Sequence, residues 1–279
     1  MSDREYATPF PILQAASLLS HKSRIRKFKQ AIEREIKPGD YVIDIGTGTG
    51  ILAILAAQQG ARVTAIDANS ESLRYAKQAA SMNNVDDRIE FVHSHFLDFK
   101  SKDKADAVIC EMLSSVMLIE QQIPASYYAR KNLLKREGKL IPEEVQLYVM
   151  PVENEILWNR FSIEEMKFPR LPQTALRGQS IYLADLQKLV TIDLTEDTHK
   201  PVQIETVLEF DVVQKGTVHG LLGMFEATLC QGIRLTMEDG WRDLFLPLTE
   251  SKDVEIGEHL SIFLAFKPGE YDTLKLAIR

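Results

Sequence analysis

The sequence predicts an α/β protein: a Rossmann-like parallel sheet with helices on both faces, followed by an antiparallel β-barrel. Three observations lead there. Apolar, β-branched runs alternate with helical patterns through the first 142 residues. Inside that alternation, 41–50 (YVIDIGTGTG) joins a buried strand to a helix through three glycines. Beyond Pro142, apolar segments follow one another with turn signals between them instead of helices.

In strand 41–45, Val42, Ile43 and Ile45 read as buried on both faces, as in parallel sheets. Asp44 interrupts the run, and a carboxylate is buried there only if a polar group meets it. Gly46, Gly48 and Gly50 let the backbone turn sharply and approach a ligand closely. A dinucleotide fingerprint needs a small third residue, which here is Ile51, so the spacing disfavours that ligand. Helix 51–59 leads to strand 62–67 and Asp67, whose carboxylate can accept from both hydroxyls of a ribose.

The rest of the first part reads as helix 70–83 capped by Asn69 or Ser70, strands 88–93 and 106–110, helix 121–135, and a short strand 138–142. Ahead of it, 9–36 is helical in two pieces, with Ile25, Phe28, Ile32 and Ile36 on one face and 37–40 (KPGD) as the stop. A parallel sheet places its site at the carboxyl ends of its strands, where Gly46, Asp67 and Glu111 fall. In the second part, 144–152, 188–195, 204–212, 218–229, 241–247 and 258–266 are strand-like, and 158–180, with Pro169 and Pro172, is an excursion.

Composition narrows the function. Hydrophobic content of 45% and charged content of 26% are ordinary for a soluble globular chain. A net charge of −7 disfavours broad nucleic-acid binding and suits a cationic substrate. No stretch approaches the roughly 18 apolar residues of a membrane span, and the N-terminus has no secretory pattern. Cys110 and Cys230 lack metal-ligand spacing and read as reduced core residues of a cytoplasmic protein, with no metal expected.

Glu111 and Glu120 bracket the segment MLSSVMLI. On one helix, at about 100° per residue, they would face opposite ways. They converge only if the chain between them loops back, and a pair of carboxylates so placed suits the planar fork of a guanidinium.

VIDIGTGTGIL…VTAID resembles the glycine motif and acidic ribose loop of class I S-adenosylmethionine-dependent methyltransferases. Segment 111–120 resembles the double-glutamate loop of protein arginine methyltransferases, and 125–149 (ASYYARKNLLKREGKLIPEEVQLYV) their helix and entry into the barrel. HGLLGMFEATLCQGIRL (219–235) and VEIGEHLSIFLAFK (254–267) resemble their barrel strands, and Gly240-Trp241 falls at their Thr-His-Trp loop. The order of motifs is preserved over 41–152 and 205–267.

The resemblance implies S-adenosylmethionine as cofactor and methyl transfer to arginine of a protein or peptide. Residues 1–142 would bind the cofactor and 143–279 would form a substrate-binding β-barrel, with 158–180 as a short dimerisation arm of a homodimer. Glu111 and Glu120 take the guanidinium-holding positions, and Asp67 takes the ribose position. Asp44, Gly46, Thr47 and Gly48, with Glu111 beside them, take the methionine end. Arg24, in SRIRKF, matches an arginine that pairs with the cofactor carboxylate. Phe96 packs against adenine or belongs to the core; His93 and His95 mark an exposed strand edge.

Three positions depart from the family. The tyrosine-rich N-terminal motif is not recognisable in REYATPFPIL, Gly240 replaces the Thr-His-Trp histidine with Trp241 retained, and His21 replaces an acidic residue. The last two suggest an imidazole supplied by His21 to Glu120 from the opposite side of the cleft. They also leave open another acceptor (lysine, a small amine or RNA), or a binding or scaffold protein without turnover.

Overall fold

The computed structural model describes residues 11–196 and 202–279. Two helices come first, α1 (Ile12–Ser17) and α2 (Lys22–Glu35), joined by a single tight turn and His21. The start of the expected first helix and most of REYATPFPIL lie outside the described residues.

The first sheet is built from β1 (Tyr41–Ile45), β2 (Arg62–Asp67), β3 (Ile89–His93), β4 (Ala105–Cys110) and β5 (Leu134–Ile141), in the order β3-β2-β1-β4-β5. Every neighbouring pair in this sheet is parallel, because helices α3 (Ile51–Gln58), α4 (Ser70–Met82) and α5 (Gln122–Asn132) make the crossovers. All five residues of β1 are buried, as its apolar run requires. Asn69 caps α4 by accepting from the Glu71 amide at 2.9 Å. The order reverses between β1 and β4, so the crevice at their carboxyl ends is the binding position of such a sheet.

After Pro142 the pairing turns antiparallel. The longer strands are β6 (Glu144–Glu153), then β11 (Gln187–Asp193), β12 (Ile204–Asp211), β13 (Gly216–Cys230), β15 (Asp243–Val254), β16 (His259–Lys267) and β17 (Glu270–Ile278). Short pieces complete the set: β7 (Ser162–Ile163), β8 (Met166–Lys167), β9 (Gln173–Ala175), β10 (Ile181–Tyr182) and β14 (Ile233–Thr236). They form a seven-stranded sheet centred on β6, β13 and β15, and a three-stranded sheet β12-β16-β17. The antiparallel pairing among the described residues is thus two larger sheets and the β7–β8 hairpin, not one closed ring. The excursion expected at 158–180 is a short helix α6 (Glu155–Asn159), the β7–β8 hairpin, and β9, which returns to pair with β15.

One apolar core runs through both parts. Phe28 and Ile32 of α2 and Ile43 of β1 join Phe225 of β13 and Leu264 of β16 through Leu113, Val116, Met117 and Leu118. Those four belong to the loop that carries the two glutamates, so that loop is built into the core rather than laid over it.

Candidate active site

The first half of the site is backbone. Gly46, Gly48 and Gly50 have φ of +71°, +53° and +80°, conformations that favour glycine. A Cβ on Gly50 would lie 2.8 Å from that of Ala76, so its absence also lets the turn pack onto α4. The amides of Gly46 and Thr47 donate to the Ile66 carbonyl at 2.9 and 3.0 Å, tying the turn to β2. Asp67 accepts from the Gly48 amide on one oxygen and from the Asn69 amide on the other, both at 2.8 Å. Each oxygen keeps a second lone pair, enough for two hydroxyl donors. Burial raises the Asp67 carboxyl despite those amides. Asp44 is buried, and burial pushes its carboxyl up to about 7 although the Thr47 hydroxyl donates to it at 2.6 Å. Ala15 of α1 lies 3.7 Å from the place of a Cβ on Gly48, so α1 packs against the turn.

The second half is a hairpin of side-chain hydrogen bonds. The Met112 amide donates to Gln122 Oε1 at 2.8 Å, and the Glu120 amide to Ser114 Oγ at 3.1 Å. These bonds turn the chain back after Glu111 and return it at Glu120. Val116 and Met117 sit at φ of +49° and +53°, a strained region for non-glycine residues, worst for a β-branched one. Contacts from the second part hold them there. The Trp241 indole donates to the Leu113 carbonyl at 2.9 Å, the Ser115 hydroxyl to that of Arg242 at 2.6 Å, and the Gly269 amide to that of Met117 at 2.9 Å. Val116 enters a socket at Gly223, where a Cβ would lie 2.7 Å from its Cγ1.

Glu111 meets a guanidinium, and it is the chain's own. Arg24, buried on α2, makes a direct ion pair with Glu111 and feels the charge of Glu120. Its guanidinium also lies over the Trp241 ring, 5.4 Å from the centroid. Burial lowers Arg24 to about 10 and raises Glu120 to about 7, each shift opposed by the partner's charge. In the structure the carboxylate that pairs with Arg24 is Glu111, where the resemblance implies a cofactor carboxylate.

His21 lies at the start of α2, where no hydrogen bond joins its ring to Glu120. The ring instead fills the space of a side chain at Gly240: a Cβ built there would overlap it. Burial first, then the Arg24 charge, holds the imidazole below its ordinary range. Phe96 is buried, edge-on to Tyr128 at 5.9 Å and tilted against His95 at 4.4 Å. His93 is exposed and contacts the Ala68 carbonyl at 3.0 Å, while His95 is half-buried. Cys110 and Cys230 are free and buried. Among the described residues no acidic, histidine or cysteine group has a metal-binding arrangement, and no helix is long and apolar enough to cross a membrane.

Sequence reasoning passed over Ser114 and Gln122, which close the hairpin, and Asp239, Ser23 and Lys27, which join α2 to the turn before Trp241. Ser114 and Gln122 were within reach, since they lie close to the glutamates in sequence. The other three are separated by more than two hundred residues and leave no local signal.

Comparison with known proteins follows the same division. Residues 29–141, the cofactor half, match the family described as ribosomal protein L11 methyltransferase (PrmA). A probable protein arginine N-methyltransferase 6.1 of Oryza sativa is 33% identical over 141 residues, 50% of this chain and 37% of that protein. An uncharacterised protein of Methanocaldococcus jannaschii is 36% identical over 138 residues, 49% of this chain and 53% of that protein. The histone-arginine methyltransferase CARMER of Anopheles gambiae is 28% identical over 207 residues, 66% of this chain and 33% of that protein. The matches thus span between 32% and 53% of the length of these and similar relatives. Solved structures match over both parts. The Trypanosoma brucei PRMT1 enzyme-prozyme complex with AdoHcy has a TM-score of 0.73 at 23% identity, over 88% of this chain and 85% of that one. Arabidopsis thaliana protein arginine methyltransferase 10 has a TM-score of 0.72 at 20% identity, over 90% and 87%. From its glycine turn to its antiparallel sheets, the chain has the fold of a class I methyltransferase with an added β part, the fold of the protein arginine methyltransferases.

Proposed function

We propose that the chain is an S-adenosylmethionine-dependent N-methyltransferase acting on the guanidinium of arginine in a protein or peptide. One observation carries the choice of acceptor: Glu111 already pairs with a guanidinium, that of Arg24, and Glu120, where the hairpin returns, lies near enough for its charge to act on the same group. Two carboxylates around a planar cation offer bidentate pairing that an ammonium does not use. The arginine methyltransferase relatives in rice and Anopheles support the same reading.

S-adenosylmethionine, when bound, supplies a sulfonium methyl already activated for displacement. Asp67 has the lone pairs to hold ribose hydroxyls, and the glycine turn admits close approach of the methionine end. Arg24 would exchange Glu111 for the cofactor carboxylate, which frees the clamp for an external guanidinium. Glu111 and Glu120 would then hold the acceptor guanidinium and stabilise the positive charge that methyl transfer brings to it. Methylation obliges that nitrogen to lose a proton, and Glu120, raised by burial to about 7, is placed to accept it.

A second reading rests on the PrmA match, which stops at Ile141 and bears on the cofactor half alone. It keeps the cofactor and changes the acceptor to lysine, another amine or RNA. Incubating the protein and a cell lysate with radiolabelled S-adenosylmethionine, then hydrolysing, separates the cases. Label in methylarginine supports the proposal, label in methyllysine or RNA supports the second reading, and cofactor binding without transfer leaves a scaffold.

We also propose a homodimer. The excursion exposes Ile163, Met166, Phe168, Leu171 and Leu176, each about half accessible. The outer face of α3 and α4 carries an apolar hollow of about 390 Å³, lined by Leu19, Ile51, Leu55, Tyr75 and Met82. The protruding apolar excursion of one copy fits the hollow of another. Light scattering checks this: a dimer is expected, and Phe168→Glu or Met82→Glu should give a monomer.

A further inference from the structure

We propose that Asp239 is a positioning residue: it fixes the first turn of α2 against the turn before Trp241 and so sets Arg24 in the clamp. The role in turnover rests on the methyl-transfer reading above; the placement of Arg24 does not.

Three consecutive residues meet that first turn in three ways. Asp239 accepts from the Ser23 hydroxyl at 2.6 Å on one oxygen and from the Lys27 ammonium at 2.7 Å on the other. Gly240, at φ +130°, leaves the space that the His21 ring fills. Trp241 lies under the Arg24 guanidinium. Ser23 and Lys27 stand one helical turn apart and bracket Arg24, so fixing both fixes the direction in which Arg24 leaves the helix.

A simpler account is available for part of this. Asp239 also accepts from the Thr236 amide at 2.8 Å, closing the short turn it belongs to. That cap needs neither Ser23 nor Lys27, yet the carboxylate is 4% exposed and spends its remaining lone pairs on α2. Burial alone would raise the carboxyl, but the Lys27 and Ser23 hydrogen bonds outweigh it and keep it ionised.

The test uses the full chain without cofactor and the arginine reagent phenylglyoxal, with mass spectrometry of the peptide containing Arg24. Wild-type Arg24 should react slowly, protected by Glu111 and Trp241. Asp239→Asn keeps the size and the acceptor for Thr236 but loses the charge facing Lys27, and should react about tenfold faster at Arg24. Asp239→Glu keeps both the charge facing Lys27 and an acceptor for Ser23, and should retain much of the protection. Equal Arg24 reactivity in wild type and Asp239→Asn overturns the proposal, as does a reaction in Asp239→Glu as fast as in Asp239→Asn. In turnover, Asp239→Asn should raise KM for S-adenosylmethionine about tenfold, because Arg24 would hold the cofactor carboxylate. If the wild type transfers no methyl group, the function fails while the reactivity data still decide the role of Asp239.

Discussion

The glycine turn and the glutamate hairpin both present carboxylates at the same crevice, but they are held by different means. Asp67 is gripped by two backbone amides from within two and nineteen residues, on elements that fold as one strand-turn-helix unit. Glu111 and Glu120 depend on side chains, a left-handed valine, and contacts from α2, from Trp241 and from Gly223 of β13. The first arrangement belongs to the local chain. The second belongs to the whole molecule, and Arg24 pairs with its first glutamate.

The largest contrast is expected from single substitutions in each half. Asp67→Ala should weaken S-adenosylmethionine binding by roughly 1.5–3 kcal/mol, since a charged acceptor and a brace of the Gly48 turn are lost together. Calorimetry that finds equal affinity removes Asp67 from the site. Glu111→Gln and Glu120→Gln should each slow methyl transfer at least about tenfold, and Glu120→Gln should leave cofactor affinity within about twofold. Preserved turnover in both variants would mean the hairpin holds no cation.

A finer probe is pH. Burial raises Glu120 to about 7, and only the ionised form attracts a cation, so kcat/KM for the acceptor should rise with pH below about 7 and level off above it. Stability of the unliganded chain should run the other way. Between the ordinary carboxylate range and about 7, the folded state binds more protons at Glu120 and Asp44 than the unfolded state. The unfolding free energy therefore falls as pH rises through that window. Denaturant titrations at several pH values check the sign, and Glu120→Gln should remove one share of the slope.

The smallest effect concerns the socket. Gly223→Ala forces its methyl onto Val116 and should lower stability by about 1–3 kcal/mol, the usual range for overpacking. Its loss of methyl transfer should exceed its loss of cofactor affinity. A variant that weakens both alike would show the hairpin and the glycine turn to be less separate than their contacts indicate.

The same contrast decides what was legible in the sequence. Strands β1 to β4 and their helices follow from apolar runs and glycines read in windows of ten residues. Asp44 and Asp67 stand out because a carboxylate at a buried strand end needs a reason. The return of the chain between Glu111 and Glu120 was inferable because a straight helix fails to bring them together. The clamp's occupant was not: Arg24 and Glu111 are distant in sequence, and the resemblance assigned Arg24 to a cofactor carboxylate. His21 was expected at Glu120 and fills the gap at Gly240 instead, since the ring takes the space that the glycine vacates. The strand expected from 241 begins at Asp243, because Trp241 is drawn to the Leu113 carbonyl. Strand β17 went unread because it lies at a sheet edge with every residue at least partly exposed, which leaves no clear alternation.

The socket at Gly223 bears on how such a chain is inherited and rebuilt. Pro142 looks like a seam, and the change from parallel to antiparallel pairing there invites treating the two parts as interchangeable modules. Val116 crosses the seam: its left-handed backbone belongs to one part and the absent side chain that receives it to the other. A β part borrowed from elsewhere would have to bring its own gap opposite the hairpin, or the glutamates would lose their spacing while the glycine turn kept its shape. The unit that has to stay together is therefore the pair of parts, and a recombination point at Pro142 would preserve the folds and lose the clamp.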